Sequence, residues 1–361
     1  MKIALAIGSM MGGGAERVAS IISSLLAKRG HDVVLISNWR HAAYAVAPEV
    51  RRADIFRQKR WAGLTGIGDI FSLICFLRAE RPDAVITFLS SASSRMFFSS
   101  FFINTAWIVS EHSSFEKKMN FKEIFLRCIL PKKADRVTVL SEVEKELAKD
   151  FFKKICVIPN PLSLKKNKVK VTRRRSVCLC GDLSRYKQKG FDKMIEYWPN
   201  IQKVCPGWKL TIVGGESIPN GGRRAMEALA RKFGVEKDVV FMGRQDDMAS
   251  VFSSQAIYVS SSQTESFSMT LIEAMSQGCI CISFANAGPR SIIDNEKTGF
   301  LVEKGNWENL VKKICEATEM TEKKRSEITK KAKLSLERYA PIEIVQQWEQ
   351  LIQESVQEHM L

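Results

Sequence analysis

Residues 256–275 read AIYVSSSQTESFSMTLIEAM, and this stretch carries the pattern that decides the fold. A short apolar run at 256–260, predicted as a strand, passes through a small polar loop into a helix predicted over 268–277. A second apolar run at 279–284 follows at once and predicts another strand. Short apolar strands that alternate with helices are typical of a parallel sheet covered on both faces. The stretch therefore predicts a doubly wound α/β fold.

The same alternation extends in both directions from this stretch. The other predicted strands lie at 2–7, 33–37, 84–89, 107–110, 136–140, 155–158, 177–181, 209–213 and 239–242. A polar segment crowded with Lys and Arg, 163–175, interrupts the alternation and has the composition of a linker. We therefore expect two Rossmann-like domains that face a cleft, where the ligands of such sheets bind.

The length supports this division, because 361 residues exceed what one core usually fills. The predicted boundaries place an N-terminal Rossmann-like domain at 1–163, a basic linker at 164–175 and a C-terminal Rossmann-like domain at 176–340. We expect the remaining helix, 341–361, to cross back to the N-terminal domain.

The composition excludes several classes of protein. With 45% hydrophobic and 26% charged residues the chain is neither disordered nor fibrous. The nine cysteines form no C-x-x-C pair and have no zinc-ligand spacing with histidine, so we expect reduced thiols of a cytoplasmic protein and no metal. No window reaches the roughly 18 apolar residues of a membrane span. The net charge of +16 indicates an anionic partner: nucleic acid, an acidic membrane surface or a phosphorylated substrate.

The basic residues are clustered and interleaved with aromatic ones. One group comprises Arg51, Arg52, Arg57, Lys59 and Arg60 beside Trp61, and the other comprises Lys117, Lys118, Lys122, Arg127, Lys132 and Lys133 with Phe115, Phe121 and Phe125. The segment 96–102 adds four phenylalanines. This combination favours an anionic membrane leaflet, although a solvated basic face with core phenylalanines gives the same pattern. Nucleic acid is disfavoured, because no helix-turn-helix, zinc-finger or RNP-like motif is present.

A glycine cluster lies where the first strand meets the first helix. Gly12, Gly13 and Gly14 let a ligand approach backbone N–H groups at a helix start, which suits phosphate, another anion or a sugar. The spacing matches neither the dinucleotide-binding fingerprint nor the P-loop. Steric demands of a strand–helix turn explain the glycines equally well.

Two glutamates lie at the start of the predicted helix of the opening stretch and within it. Glu265 precedes it and Glu273 lies on it, while the N–H groups of Phe267, Ser268 and Met269 lie at its start. Carboxylates accept hydrogen bonds from sugar hydroxyls, and N–H groups at a helix start bind a diphosphate. The alternative is a helix-start charge at Glu265 and a solvated surface charge at Glu273.

The motifs taken together resemble the GT-B glycosyltransferases of family 4. The resemblance rests first on Glu265-Ser-Phe-Ser-x4-Glu273-Ala-Met, which is similar to the donor-binding block of that family. Further matching elements occur in family order over nearly the whole chain: Gly13–Arg17, Ser110–His112, Val137–Ser141, Ile158–Pro161, Lys189–Asp192, Gly278, Gly288–Arg290, Ile293 and Thr298–Val302.

The resemblance implies roles for individual residues. Glu265 would approach the donor sugar, Glu273 would hold the ribose, and the loop N–H groups would lie against sugar and diphosphate. Lys189 would neutralise the leaving diphosphate, so that neither a metal nor another cofactor is needed. His112 would face the donor sugar, and Gly12 to Gly14 would lie on the acceptor side. The anomeric configuration would be retained, with the leaving phosphate assisting deprotonation.

One departure from the family concerns the phosphate site. The family has an arginine where this chain has Asp182, which cannot stabilise a phosphate. Arg185 or Lys187 in the longer spacer can take over this role, with Arg185 preferred, and a solvated basic loop is the alternative for both.

The predicted activity is transfer of a sugar from a UDP-hexose or UDP-N-acetylhexosamine to a lipid-linked oligosaccharide in O-antigen or capsule-type polysaccharide biosynthesis. The predicted location is cytoplasmic, peripheral at the inner face of the plasma membrane. A sugar-nucleotide epimerase on the same frame, or a basic nucleic-acid-binding protein, is the alternative. A glycosidase with paired carboxylates is disfavoured by the two doubly wound domains.

Overall fold

The computed structural model describes residues 1–56, 65–164, 167 and 172–361. Tertiary contacts divide the chain into two compact units, one formed by Met1–Pro161 with Tyr339–Leu361 and the other by Leu162–Arg338. Each unit has a parallel sheet with helices packed on it, which confirms the predicted doubly wound α/β fold.

The first unit is built on a seven-stranded sheet in the order β3-β2-β1-β4-β5-β6-β7, paired in parallel throughout. The strands are β1 Lys2–Ile7, β2 Asp32–Ser37, β3 Arg51–Asp54, β4 Ala84–Phe88, β5 Ala106–Ser110, β6 Arg136–Val139 and β7 Ile155–Val157. The helices are α1 Gly14–Lys28, α2 Thr65–Glu80, α3 Leu89–Ser99, α4 Phe121–Ile124 and α5 Glu142–Ala148, with a π-helical turn at Phe125–Ile129 and a 3₁₀ turn at Leu130–Lys133. Every residue of β4 and β5 is buried, as a sheet covered on both faces requires.

The second unit repeats this plan with a six-stranded parallel sheet in the order β10-β9-β8-β11-β12-β13. Its strands are β8 Arg174–Cys180, β9 Lys209–Val213, β10 Val239–Gly243, β11 Gln255–Ser260, β12 Ile280–Phe284 and β13 Phe300–Val302. Its helices are α6 Tyr186–Lys189, α7 Phe191–Val204, α8 Gly222–Lys232, α9 Met248–Ser254, α10 Met269–Ser276, α11 Ala287–Ile292, α12 Trp307–Thr318 and α13 Glu322–Ser335, with 3₁₀ turns at Leu183–Arg185 and Glu337–Tyr339.

Helix α14, Pro341–Met360, packs on the first unit. Its apolar face is buried, with Trp348 at 2% exposure against the ring of Phe88. Ion pairs hold its polar face, since Glu349 accepts hydrogen bonds from Arg29 at 2.7 Å and His31 at 2.9 Å. Burial and charge pairing together fix this helix to strands that lie far away in the sequence.

Several local predictions were wrong. Edge strand β3 was missed because its sequence, RRAD, lacks apolar alternation; its Arg51 pairs with Glu80 at 2.9 Å. Leu89 was assigned to a strand but begins α3 with a left-handed φ of 65°. The predicted turn at the end of the family block is strand β13, and α13 was not predicted.

The predicted linker and the first basic group are described only in part. Arg174 and Arg175 of the linker form the start of β8, and the preceding Arg173 donates to the Gln277 carbonyl at 2.6 Å. Residues 165, 166 and 168–171, and Arg57, Lys59, Arg60 and Trp61 of the basic group, lie outside the described residues. The described part of the chain has no helix long and apolar enough to span a bilayer.

Candidate functional site

The chain order of the second sheet reverses between neighbouring strands β8 and β11. At such a switch point the following helices leave to opposite faces of the sheet, and a crevice opens at the carboxyl ends of the strands. Lys189 is the last residue of the short helix α6, which follows β8, and the loop after β11 carries Glu265. The topology therefore brings together two residues that are 76 positions apart.

Lys189 and Glu265 form an ion pair in this crevice. The Lys189 Nζ lies 3.0 Å from the Glu265 Oε2, and the two side chains are 24% and 18% exposed. The loops are joined beside the pair, because the Ser261 hydroxyl donates to the Lys189 carbonyl at 2.8 Å. Gly190 permits this approach: its φ is +72°, and a Cβ there would lie 2.3 Å from the Ser261 oxygen. The structure thus places a cation and a carboxylate side by side, both reachable by solvent.

The start of α10 is shaped by two unusual backbone positions. Ser268 caps the helix with a left-handed φ of 79°, which is uncommon for a residue other than glycine. Gly288 donates its N–H to the Glu265 carbonyl at 2.9 Å, and a Cβ on it would lie 2.5 Å from the Phe267 backbone. The Phe267 side chain is buried, so only the backbone of that residue is a candidate for ligand binding. Met269 is the first residue of the helix.

Glu273 is enclosed in the protein. It lies on α10 at 1% exposure, so the alternative that treats it as a solvated surface charge is wrong. A buried carboxylate is costly unless its surroundings compensate it, and such groups are concentrated at functional sites.

Asp182, which stands in place of the family arginine, has a structural role. Its carboxylate accepts hydrogen bonds from the N–H and hydroxyl of Ser184, at 2.9 and 2.6 Å, and from the N–H and hydroxyl of Ser217. Burial alone would raise the pKa of Asp182, but these hydrogen bonds outweigh it and hold the pKa below its ordinary value. Asp182 therefore ties the loop after β8 to the loop after β9.

The two candidate replacements for that arginine are both exposed, and they differ in how firmly they are held. The Nε and Nη2 of Arg185 donate to the Gln188 Oε1 at 2.9 and 2.7 Å, which fixes the guanidinium beside α6, the helix that carries Lys189. Lys187 lies over the Tyr186 ring at 5.9 Å. A guanidinium held in this way loses less side-chain entropy on binding a phosphate than a loose ammonium does.

In the first unit, His112 follows β5 and is anchored through its ring. Its Nε2 lies 3.0 Å from the Ser110 hydroxyl, which in turn accepts from the Thr138 hydroxyl at 3.2 Å. The Phe88 ring lies 5.4 Å away. Burial lowers the pKa of His112 to about 4. The ring is therefore neutral at physiological pH.

The glycine cluster begins α1, with Gly13 as the N-cap and Gly14 as the first helical residue. A Cβ on Gly13 would lie 2.2 Å from the Glu16 Oε2, so the chain's own carboxylate folds back over the helix start. The Tyr44 hydroxyl donates to the Gly12 carbonyl at 3.1 Å. The position predicted for an anion is thus occupied by an acidic side chain.

Arg127 was wrongly assigned to the exposed basic group. It is 7% exposed and donates to the Glu111 Oε2 at 3.2 Å and to the Ser113 carbonyl at 2.7 Å. Its guanidinium lies 4.6 Å from the ring of Phe115, which is also buried. The one hint of this burial in the sequence is Glu111, the acidic residue next to His112, which pairs with Arg127.

Other phenylalanines of this region are exposed. We call the following residues the aromatic–basic surface: Phe98, Phe101, Phe102, Phe121 and Phe125 with Lys118, Lys122, Lys132 and Lys133. The ammonium of Lys133 lies 3.4 Å from the Phe101 ring centroid, which joins the end of α3 to the 3₁₀ turn. Phe121 is 81% exposed and Phe101 is 61% exposed. These two side chains therefore present most of their apolar surface to solvent.

The nine cysteines all lie within the described residues, and none of them forms a disulfide. Within the described residues, no three His, Cys, Asp or Glu side chains lie close enough together to hold a metal ion.

Two family models match the chain. The model described as Glycosyltransferase Family 4 matches residues 12–166, and the model described as Glycosyl transferases group 1 matches residues 163–335. Together they extend over both units, in the order that the resemblance of the motifs predicts.

Similar sequences and structures cover almost the whole chain. An uncharacterized glycosyltransferase of Haemophilus influenzae is 29% identical over 350 residues, which are 94% of this chain and 96% of that protein. The GalNAc-alpha-(1->4)-GalNAc-alpha-(1->3)-diNAcBac-PP-undecaprenol alpha-1,4-N-acetyl-D-galactosaminyltransferase of Campylobacter jejuni is 24% identical over 98% of this chain and 99% of that protein. The crystal structure of Anabaena HepE in complex with UDP-glucose has a TM-score of 0.84 at 17% identity, over 98% of this chain and 100% of that one.

Proposed function

Because the chain belongs to the family 4-type glycosyltransferases of the GT-B fold, we propose that it transfers a hexose or N-acetylhexosamine from a UDP donor to a lipid-linked oligosaccharide in polysaccharide biosynthesis. The observation that carries the proposal is the Lys189–Glu265 pair at the switch point of the second sheet. A cation and a carboxylate at such a crevice match the two ends of a sugar diphosphate.

The donor is held by the loops of the second unit. Lys189 neutralises the charge that develops on the leaving diphosphate, and this cation makes a divalent metal or another cofactor unnecessary. Glu265 accepts hydrogen bonds from hydroxyls of the donor sugar, and Glu273 holds the ribose. The N–H groups at the start of α10, from Phe267 to Met269, lie against sugar and diphosphate. Arg185 supplies the second phosphate cation, since Gln188 already orients its guanidinium.

The transfer retains the anomeric configuration. The acceptor oxygen forms a bond to the anomeric carbon on the face from which the diphosphate leaves with the electron pair of the broken bond. The proton of the acceptor hydroxyl passes to the departing phosphate oxygen. His112 hydrogen-bonds the donor sugar as a neutral ring, and its lowered pKa makes it a poor general base.

The acceptor is bound by the first unit. The relative from Campylobacter jejuni is named for an undecaprenol-linked glycan, and this supports a lipid-linked acceptor here. The Glu16 carboxylate over the glycine cluster favours contact of this loop with sugar hydroxyls, because a carboxylate accepts from hydroxyls and repels phosphate.

A lipid-linked acceptor places the enzyme at the inner, cytoplasmic face of the plasma membrane, and the aromatic–basic surface suits this location. Exposed phenylalanines enter the interface region of a bilayer, and each nearby Lys adds about 1 kcal/mol of attraction to anionic lipid. The partner is an anionic leaflet and not nucleic acid.

The proposal is tested by a panel of nucleotide sugars. Saturation at about 100 times Kd adds about 2.7 kcal/mol of stability, which raises the melting temperature of a domain of this size by about 5–11 °C. We expect UDP sugars to give this shift and to be slowly hydrolysed. If no nucleotide sugar stabilises the protein, and Glu273→Ala changes nothing in an active preparation, the proposal is wrong.

A further inference from the structure

We propose that Arg127 is a positioning residue for glycosyl transfer: it holds the loop that presents His112 and acts on the reaction only through that loop. This inference rests on the proposed function, because it takes His112 to contact the donor sugar.

The contacts of Arg127 concentrate on the residues around His112. Its Nη2 donates to the Ser113 carbonyl at 2.7 Å, and Nη1 and Nη2 both lie 3.4 Å from the Ser114 carbonyl. Its Nε donates to Glu111, whose other carboxylate oxygen accepts the Ser113 N–H at 2.8 Å. The guanidinium therefore binds the residue before His112 and the two residues after it.

A contribution to folding stability does not by itself explain why the Arg127–Glu111 ion pair is buried. Arg127 and Glu111 are 7% and 5% exposed, and a buried pair of this kind is often no more stabilising than apolar side chains of the same volume. Apolar side chains, however, could not hold two carbonyl groups in fixed directions. The planar fork of an arginine does this, and a lysine does not.

The surrounding structure aims the guanidinium and anchors the far end of the loop. Arg127 lies in the π-helical turn, where one extra residue per turn redirects side chains, and such turns are frequent at functional sites. The Phe115 N–H donates to the buried Glu144 at 2.8 Å, and the Ser141 hydroxyl accepts from the Glu144 N–H. The loop is thus held at its middle by Arg127 and at its end by Glu144.

The near end of the loop is held through the imidazole itself. The Thr138 and Ser110 hydroxyls form a chain to the Nε2 of His112, and this hydrogen bond selects the tautomer of the neutral ring. The ring direction is then set by the backbone on both sides of His112. A shift of about 1 Å in a positioned group costs about 100-fold in rate. The contacts of Arg127 with the loop carbonyls therefore affect catalysis, although Arg127 itself does not contact the substrate.

Arg127→Lys tests the inference, because it keeps a charge for Glu111 and loses the two-carbonyl fork. We expect kcat for sugar transfer to fall about 10- to 100-fold while KM for the donor stays within about twofold. Arg325→Lys is the matched control. Arg325 is 8% exposed and donates to the Ala256 and Ala317 carbonyls at 3.2 and 3.0 Å in the second unit, so its loss lowers stability and leaves kcat unchanged.

A double variant shows whether Arg127 acts through His112. If it does, Arg127→Lys combined with His112→Ala has the kcat of His112→Ala alone, within about twofold. Additive losses, or a wild-type kcat in Arg127→Lys, overturn the inference. Should Arg127→Lys melt too low to assay, Glu111→Gln replaces it. We expect this variant also to lower kcat at an almost unchanged KM, by a smaller factor. A wild-type protein that neither hydrolyses nor transfers from any nucleotide sugar overturns the proposed function instead.

Discussion

Replacing Lys189 by methionine separates the structural from the chemical contribution of the Lys189–Glu265 pair. The pair has a 3.0 Å contact but is partly exposed on both sides, so solvent screens it and its loss costs at most about 1 kcal/mol of stability. That corresponds to a fall in melting temperature of about 2–4 °C. Removing the cation from the developing charge of the leaving diphosphate costs more, about 2.7–4 kcal/mol, by analogy with the loss of one oxyanion donor.

We therefore expect kcat, measured as the rate of UDP formation, to fall 100- to 1,000-fold in a protein whose melting temperature is almost unchanged. The assay is coupled detection of UDP from the best donor of the panel, with thermal melts on the same samples. Lys193→Met is the control, since Lys193 forms a comparable contact of 2.9 Å with Glu196 on the surface of α7. The reasoning is refuted if Lys189→Met keeps a third of wild-type activity, or if both variants lose activity equally.

Three further predictions concern the membrane surface, the histidine and the start of α10. Phe101→Ser with Phe121→Ser lowers binding to anionic liposomes at least fivefold in co-sedimentation. Leu334→Ser does not, although Leu334 is about as exposed as Phe101, at 57% against 61%. Stronger binding of the wild type to DNA than to liposomes would contradict the proposed partner. Because the folded-state pKa of His112 is about 4 and the unfolded value is about 6.5, protonation favours the unfolded chain; stability is full above pH 6.5 and falls by up to about 3 kcal/mol toward pH 4. Urea titrations of His112→Asn should lack this part of the pH dependence, and an unchanged slope would show that the imidazole is solvated. Gly288→Ala forces a Cβ to 2.5 Å from the backbone before α10, so the donor-induced thermal shift should shrink by more than half, and an intact shift would separate this loop from the donor site.

The sequence predicted the elements whose local pattern agrees with their final environment. The buried central strands, such as β4 and β11, are short apolar runs, so their type and approximate bounds follow from composition and spacing. Edge strand β3 was not predicted, because a charged strand at a sheet edge has no apolar pattern. Its formation depends on pairing with β2, which the sequence of β3 alone does not indicate.

The site was predictable to a different extent. The family resemblance supplied the candidate roles of Lys189 and Glu265, but only the strand order explains why they meet. Nothing local distinguished Arg127 from the exposed lysines around it, since its burial depends on a carboxylate 16 positions earlier. For the same reason Phe115 and Phe121 looked alike, although one lies in the core and the other is almost wholly exposed. Side-chain burial is a tertiary property, which a one-dimensional pattern reports poorly.

The return of α14 to the first unit has a consequence for synthesis of the chain. When residue 161 leaves the ribosome, β4 and β5 lack the helix that covers them, because Trp348 has not yet been made. At about 5–20 residues per second, the roughly 180 intervening residues take about ten to forty seconds. During that time the first unit exposes an apolar groove that its own sequence will later fill. The second unit can thus close its core co-translationally, whereas the first completes its core only when α14 has been made.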